Sequence, residues 1–461
     1  MDQPNRTWIS NSELNLRLKQ LLMTIRKSPK WQNEEFRSIV DELELKLRIG
    51  SEHLPSDYQE AVQESLEYCD LLGMGRLMET LGLPRPPTFD INSDYDSNVN
   101  RTPRSESAEP VEKMILQERK IVFCGLRLGF PMGLSSSVLT ASAQWIAYYA
   151  SKGFDLITYK TVRHRYAPPH PMPQWVPLSP CPQFGREDLL SGRPVIRARK
   201  LSWLSERQRQ TTANSFGIPS QAPEIWKKDV ARAKATLNGY QALAVSVYGE
   251  ENTSEFREVC DAYAQTAIHA VDAGADLIEV NLSSPNVRDY SGRRVEYYSD
   301  PDRSLEIIRV IANRMEDKGL KVPILAKIGY LPEEELLNFL KVVGPELDGI
   351  SAINTLPMPI ENEDKNNCFP PTAHGASRLI AGVSGDGVRS LAQEAISTIV
   401  KWRRQNRPSL GVIAIGGVMT PKDFVTYLRI GADVVQCCTG AWLNDGLAIE
   451  CRNFLHSPIR N

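Results

Sequence analysis

The 461-residue sequence has no run of about 18 apolar residues and no Cys-x-x-Cys pair. The first absence argues against a membrane-spanning helix; the second weakens iron–sulfur and zinc readings, so no metal site is expected. The eight cysteines, Cys69, Cys124, Cys181, Cys260, Cys368, Cys437, Cys438 and Cys451, are scattered along the chain. They fit reduced thiols in a cytosol, and the adjacent Cys437 and Cys438, set in an apolar run, read as small buried hydrophobes rather than a redox pair. The start, MDQPNRTWIS, has neither the basic residues nor the apolar stretch of a secretion signal, so a cytoplasmic location is expected. Neither sign of charge dominates: 54 Lys and Arg against 56 Asp and Glu leave −2. That balance points away from nucleic acid or an anionic membrane as the main partner.

With 41% apolar and 24% charged residues the composition is that of a soluble globular chain, long enough for two or three domains or one large barrel with an appendage. Residues 1–83 read as a helical extension. Leu14, Leu18, Leu21, Leu22 and Ile25 share one helical face, as do Phe36, Ile39, Val40, Leu43 and Leu47. These faces are short and heavily charged, which favours a cap or an oligomer interface, such as that of a homodimer, over a peripheral membrane patch. From Pro84 the texture turns to Pro, Asn, Asp and Ser, and a flexible linker is expected over 84–112.

Residues 113–461 alternate short apolar runs with helix-period segments. The runs are 130–134, 155–160, 242–247, 276–281, 323–328, 348–353, 411–416 and 432–437, each followed by a helical stretch. Continuous apolar strands of this length suit a parallel sheet covered on both faces, and eight such pairs give an α/β fold, a (β/α)8 TIM barrel. An open doubly wound sheet is the alternative, but no Gly-x-Gly-x-x-Gly follows any run. Two stretches, 163–222 and 357–381, break the rhythm and read as long structureless loops at the C-terminal ends of the strands.

Those strand ends are unusually polar. They carry Ser135, Ser136 and Ser137, Lys160 and Thr161, Asn281, Lys327, Asn354 and Thr355, Gly416 and Gly417, then Cys438, Thr439 and Gly440. Glycine turns after the last two strands let backbone N–H groups approach a phosphate. Lys160 and Lys327 need an anionic partner if buried, and few acids sit at the neighbouring strand ends; two such lysines beside a phosphate turn suit a reduced flavin. A flavin mononucleotide (FMN) has both parts. The amides of Asn214, Asn281, Asn286 and Asn354 match a ring with alternating N–H and C=O groups, such as a pyrimidine.

At this point the residues resemble a known family. The segment from about Ile121 to Asn453 is similar to dihydroorotate dehydrogenases and to the pyrimidine-reducing barrel of dihydropyrimidine dehydrogenases. Asn281-Leu282-Ser283-Ser284-Pro285-Asn286 resembles the family's catalytic loop, and Asn214-Ser215-Phe216-Gly217-Ile218-Pro219 its substrate loop. Gly382-Val383-Ser384-Gly385 resembles its Gly-Gly-Leu-Ser-Gly turn, and Ile415-Gly416-Gly417-Val418 with Gln436 to Thr439 resembles its flavin-phosphate site.

The resemblance implies that Ser284 is the base taking a proton from C5 of a dihydropyrimidine while hydride leaves C6 for flavin N5. It implies that Asn214, Asn281, Asn286 and Asn354, with Thr355, hold the ring, and that Phe216, Gly217 and Ile218 lie beside it. Lys160 would touch flavin and substrate, Lys327 the flavin. Ser135, Ser136, Thr161, Asn281, Gly385, Gly416, Gly417, Cys438 and Thr439 would complete the cofactor site. The three serines after the first strand are closer to the dihydropyrimidine dehydrogenase pattern, whereas Ser284 and Asn286 look like dihydroorotate enzymes. The expected activity is oxidation of dihydroorotate to orotate in pyrimidine biosynthesis. The rivals are an enzyme of uracil- or thymine-type rings, a flavin-free phosphate-binding barrel and a non-catalytic scaffold. The electron acceptor, whether fumarate, quinone, nicotinamide or oxygen, stays open at this point.

Overall fold

Eight short parallel strands close on themselves at the centre of the protein, in the order of the chain: β1 (Met132–Leu134), β2 (Leu156–Val162), β3 (Ala242–Val247), β4 (Leu277–Asn281), β5 (Ile324–Ile328), β6 (Gly349–Ala352), β7 (Gly411–Ile415) and β8 (Val434–Cys437). Every strand residue is buried, as expected of a sheet enclosed by helices. The computed structural model describes residues 88–101, 121–179, 183–198, 210–249, 253, 255–288 and 294–456. The helical extension expected over 1–83 lies outside these.

The outer layer is α1 (Ala143–Ser151), α2 (Pro223–Ala235), α3 (Phe256–Asp272), α4 (Pro301–Asp317), α5 (Glu333–Val342), α6 (Arg389–Asn406), α7 (Pro421–Ile430) and α8 (Leu447–His456). Local chemistry marks their starts. Proline opens α2, α4 and α7, where its missing N–H is no loss, and Asp300 and Thr420 cap α4 and α7 through their side chains. The helical stretch expected after the last run is broken in two, with a short helix Thr439–Leu443 separated from α8 by Asn444–Gly446.

A hairpin, Ile121–Phe123 with Leu126–Leu128, plugs the N-terminal end of the barrel. Its turn places Cys124 and Gly125 at positive φ, the geometry of a two-residue hairpin. Phe123 and Leu128 enter the interior cluster with Leu156, Leu277, Leu325 and Val434. The fit is close: a Cβ at Gly411 would stand 2.6 Å from the Cys124 sulfur.

Two expectations are corrected. The stretches 163–222 and 357–381 are not structureless. Their described parts form a sheet in the order 175–177, 211–214, 380–385, 356–361, 195–196. Its pairings are antiparallel except the last. Second, residues 89–101 of the expected linker are part of the barrel unit. Asp94 caps the helix Tyr95–Asn100, and the Asn98 amide donates to the carbonyls of Asp90, Ser93 and Asp94. Phe89 is buried among Trp145, Trp175 and Phe216, and Trp442 donates to its carbonyl.

One buried ion pair fastens α8 to the barrel. Arg452 donates to the Asp155 carboxylate at 2.7 Å and to the Gly153 carbonyl, both side chains 1% exposed, while its guanidinium lies over the Phe130 ring. Gln241 donates to the other Asp155 oxygen. Removing one member strands a buried charge, so Arg452→Ala is expected to lose about 3–5 kcal/mol of stability. Asp155→Ala should lose a similar amount, and the double variant less than the sum. Equilibrium urea unfolding checks all three; full additivity would contradict the pairing.

Candidate active site

The C-terminal ends of the strands and the small sheet above them enclose a cavity of about 1110 Å³, its open mouth included. The barrel delivers Ser135 and Ser136 after β1, Lys160 and Thr161 on β2, Asn281 on β4, Lys327 on β5, and Asn354 and Thr355 after β6. Gly416 and Gly417 follow β7, and Cys438 and Thr439 follow β8. The sheet adds Asn214 and Gly385, and the segment after Asn214 adds Phe216, Gly217 and Ile218. All of these sequence-expected residues therefore meet in one hollow. Ser284 and Asn286 lie on the backbone strand Ser283–Arg288, next to Ser283 of the cavity wall, but their side chains lie outside the described part.

Hydrogen bonds orient the polar groups. Ser283 N–H and Asn354 Nδ2 donate to Asn281 Oδ1 at 3.2 and 3.5 Å, and Asn354 Nδ2 also donates to the Ser283 carbonyl. This leaves the Asn281 Nδ2 group available to donate to a ligand. Asn214 Nδ2 donates to the Gly382 carbonyl at 3.1 Å, its partner in the sheet register. Hydroxyls run in chains, Ser136 to Thr161 to Ser246 on one wall and Thr212 to Ser384 to Thr439 on another.

Two arginines that sequence reasoning missed shape the wall around Ser215 to Ile218 by gripping carbonyls. Arg163 donates to those of Gly217 and Ile218. Arg378, 3% exposed, donates to Ser215 through both its hydroxyl and its carbonyl, and to the carbonyls of Pro171, Pro173 and Pro370. Five donors thus meet five acceptors, and the residue between Asn214 and Phe216 is fixed. Trp175, which lines the same wall, was also missed. Its signal was hidden in a stretch without periodicity.

The turns after β7 and β8 differ in how their N–H groups are used. Thr420 caps α7 and pairs with Asp423 in a capping box. The short helix Thr439–Leu443 starts with no side-chain cap. Gly417, at φ +66, lies so near α6 that a Cβ there would stand 2.3 Å from Arg389 Cβ, so the turn admits glycine alone.

Electrostatics centre on the two lysines. Lys160 and Lys327 are both buried. Burial, reinforced by Arg163 and Lys327, pushes the Lys160 ammonium down to about 7. Few acids were expected at the neighbouring strand ends, and the acid nearest Lys327 lies inside the barrel instead: Glu279 Oε1 is 3.7 Å from its Nζ. Burial raises the Cys438 thiol to about 11, and among the described residues Cys437 and Cys438 are free thiols. No group of His, Cys, Asp and Glu suited to a metal occurs among the described residues, and no described helix is long and apolar enough to cross a membrane.

A closed parallel barrel whose strand ends gather lysines, amides and glycine turns defines a barrel enzyme that works on its ligands at that mouth. The chain belongs to the dihydroorotate dehydrogenase family, flavin-dependent oxidoreductases acting on a CH–CH bond. The family model for dihydroorotate dehydrogenase matches residues 200–451. The chain is 31% identical over 374 residues to a dihydroorotate dehydrogenase of Dictyostelium discoideum, covering 80% of this chain and 97% of that protein. A quinone-type dihydroorotate dehydrogenase of Delftia acidovorans is 24% identical, covering 78% and 92%. Among solved structures, ligand-free dihydroorotate dehydrogenase from Eimeria tenella matches with a TM-score of 0.57 at 17% identity, over 78% of this chain and 92% of that one, which supports the fold.

The lowered Lys160 pKa makes a pH prediction. Its folded value, about 7, lies below the ordinary 10.5, so between these the unfolded chain holds the extra proton and stability rises with pH. A carboxylate set against Lys160 restores the charged form, so its binding takes up a proton above pH 7. With orotate as the carboxylate probe, affinity is expected to fall by up to about tenfold per pH unit there. Calorimetry in buffers of different ionisation enthalpy reads the uptake. Lys160→Met should abolish it; uptake unchanged in that variant would contradict the assignment.

Proposed function

We propose that the protein oxidises dihydroorotate to orotate with bound FMN, Ser284 acting as the base. One observation carries the reading: two buried lysines, the amides of Asn214, Asn281 and Asn354, and glycine turns at Gly385 and Gly416–Gly417 line one cavity. The donor set fits a flavin nucleotide. Lys327 and Lys160 supply positive charge to a ring that becomes electron-rich on reduction. The uncapped start of Thr439–Leu443, with Gly416 and Gly417 beside it, offers backbone N–H groups to a phosphate. Ser135, Ser136, Thr161, Gly385 and Cys438 complete that half. When bound, the flavin supplies a hydride acceptor at N5.

The rest of the chemistry belongs to the chain. Asn214, Asn281, Asn286 and Asn354 hold the pyrimidine ring by donor and acceptor pairs, with Thr355 beside them. Lys160 faces the substrate carboxylate, and Phe216, Gly217 and Ile218 close the wall around it. Ser284 takes the C5 proton. A serine hydroxyl is a weak base, so it hands that proton on to a hydrogen-bonded acceptor as it receives it. Trp175, Phe216 and Val138 make the cavity partly apolar, which strengthens these polar contacts by excluding water. The names of the relatives support the same substrate: those above are dihydroorotate dehydrogenases.

Purified protein is expected to carry flavin absorbance that dihydroorotate bleaches and dihydrouracil does not; a colourless protein, or bleaching by dihydrouracil alone, would contradict the reading. Ser284→Ala should keep its flavin and lose at least about a hundredfold in kcat. Turnover equal to the parent would remove Ser284 from the mechanism. Assays with fumarate, quinone, nicotinamide and oxygen identify the acceptor.

A further inference from the structure

One charged side chain beneath the cavity has no part in the chemistry above. Glu279 is 1% exposed at the middle of β4. Side chains alternate along a strand, and Leu277 enters the interior cluster while Asn281 lines the cavity. Glu279, between them in the same phase, therefore faces the barrel interior one layer below the floor. Neither of its carboxylate oxygens has a hydrogen-bond partner among the described residues. Its ion-pair contact is with Lys327, whose Nζ stands 3.7 Å from Oε1. Lys327 lines the cavity; Glu279 does not.

Taking a carboxylate out of water costs several kcal/mol unless a nearby charge offsets it. A purely structural position inside a barrel is normally filled by Val, Ile or Leu. An acid retained there, with its oxygens turned to no hydrogen-bond donor and a cavity-lining ammonium as its neighbour, acts on that ammonium. The separation exceeds a hydrogen bond, so the lysine keeps its donors for the cavity while its charge is partly cancelled from below.

We propose that Glu279 is a positioning residue: it is the counter-charge that holds Lys327 at the floor of the cavity and limits the positive field felt by the bound flavin, and so sets how readily that flavin is reduced. The inference rests on the flavin reading of the site and deepens it. A lone ammonium would stabilise the negative charge that accumulates in a reduced flavin more strongly than the pair does, because charges at this depth are weakly screened.

The test uses the holoenzyme and two readouts other than turnover. One is the flavin midpoint potential against a reference dye. The other is the affinity for sulfite, which adds to oxidised flavins more tightly as the local field becomes more positive. Glu279→Gln keeps the shape and removes the charge; the potential is expected to rise and the sulfite Kd to fall at least about tenfold. Lys327→Met should move both readouts the other way, and the double variant Glu279→Leu with Lys327→Met should return towards the parent. A Glu279→Gln holoenzyme with the parent's potential and sulfite affinity overturns the inference.

Should Glu279→Gln fail to fold or to keep flavin, the double variant decides. Recovery of flavin content when both charges are removed supports a counter-charge, and a loss at least as large as the single variant's overturns it. A parent protein that binds no flavin would instead sink the underlying reading, so the two failures are distinct.

Discussion

Everything at the mouth of this barrel depends on two ammonium groups held in a place where charge is expensive. Lys160 and Lys327 reach the cavity from β2 and β5, strands separated by β3 and β4 in a closed sheet whose other side chains are largely apolar, and both are buried. The protein answers them unequally. Lys327 has Glu279 below it, whereas burial, reinforced by Arg163 and Lys327, drives Lys160 down to about 7. A site built this way is incomplete without an electron-rich or anionic occupant, and the surrounding amides and glycine turns select which one.

The architecture around the lysines keeps backbone, rather than further charge, pointed at the ligands. The hairpin at the other end fills the barrel with Phe123 and Leu128, and the polar residues gather at the C-terminal mouth. Above it, the small sheet brings Asn214 against Gly382, and Arg163 and Arg378 clamp the segment that follows by its carbonyls. These arginines spend their donors on the scaffold. Phe89 and Trp442 pack behind Trp175 and Phe216, the two aromatic residues that line the same wall.

The barrel itself was legible because its strands are buried on both faces and read as unbroken apolar runs. The run 242–247 coincides with β3, and Pro223 and Pro421 mark the first residues of α2 and α7. The site was legible for a related reason: polar residues stood where those runs ended. The small sheet was not, because its strands are as short as Val195–Ile196 and pair with segments far away in sequence, leaving no local period to read. Residues 88–101 have a linker's composition, yet a capped turn and two buried aromatics, Phe89 and Tyr95, suffice to fix them. Glu279 was passed over as one charge within an apolar run. Its spacing of two from Asn281 was the available signal, since residues of one parity share a face.

The central claim is that Lys160 and Lys327 together organise the ligands of this mouth. A crystal structure of the protein with its flavin and orotate tests it most directly. The account predicts both ammonium groups in contact with the bound molecules, Lys160 with orotate and flavin and Lys327 with flavin, and the phosphate at Gly417 and Thr439. A flavin bound away from Lys327, or an orotate carboxylate turned from Lys160, would contradict it.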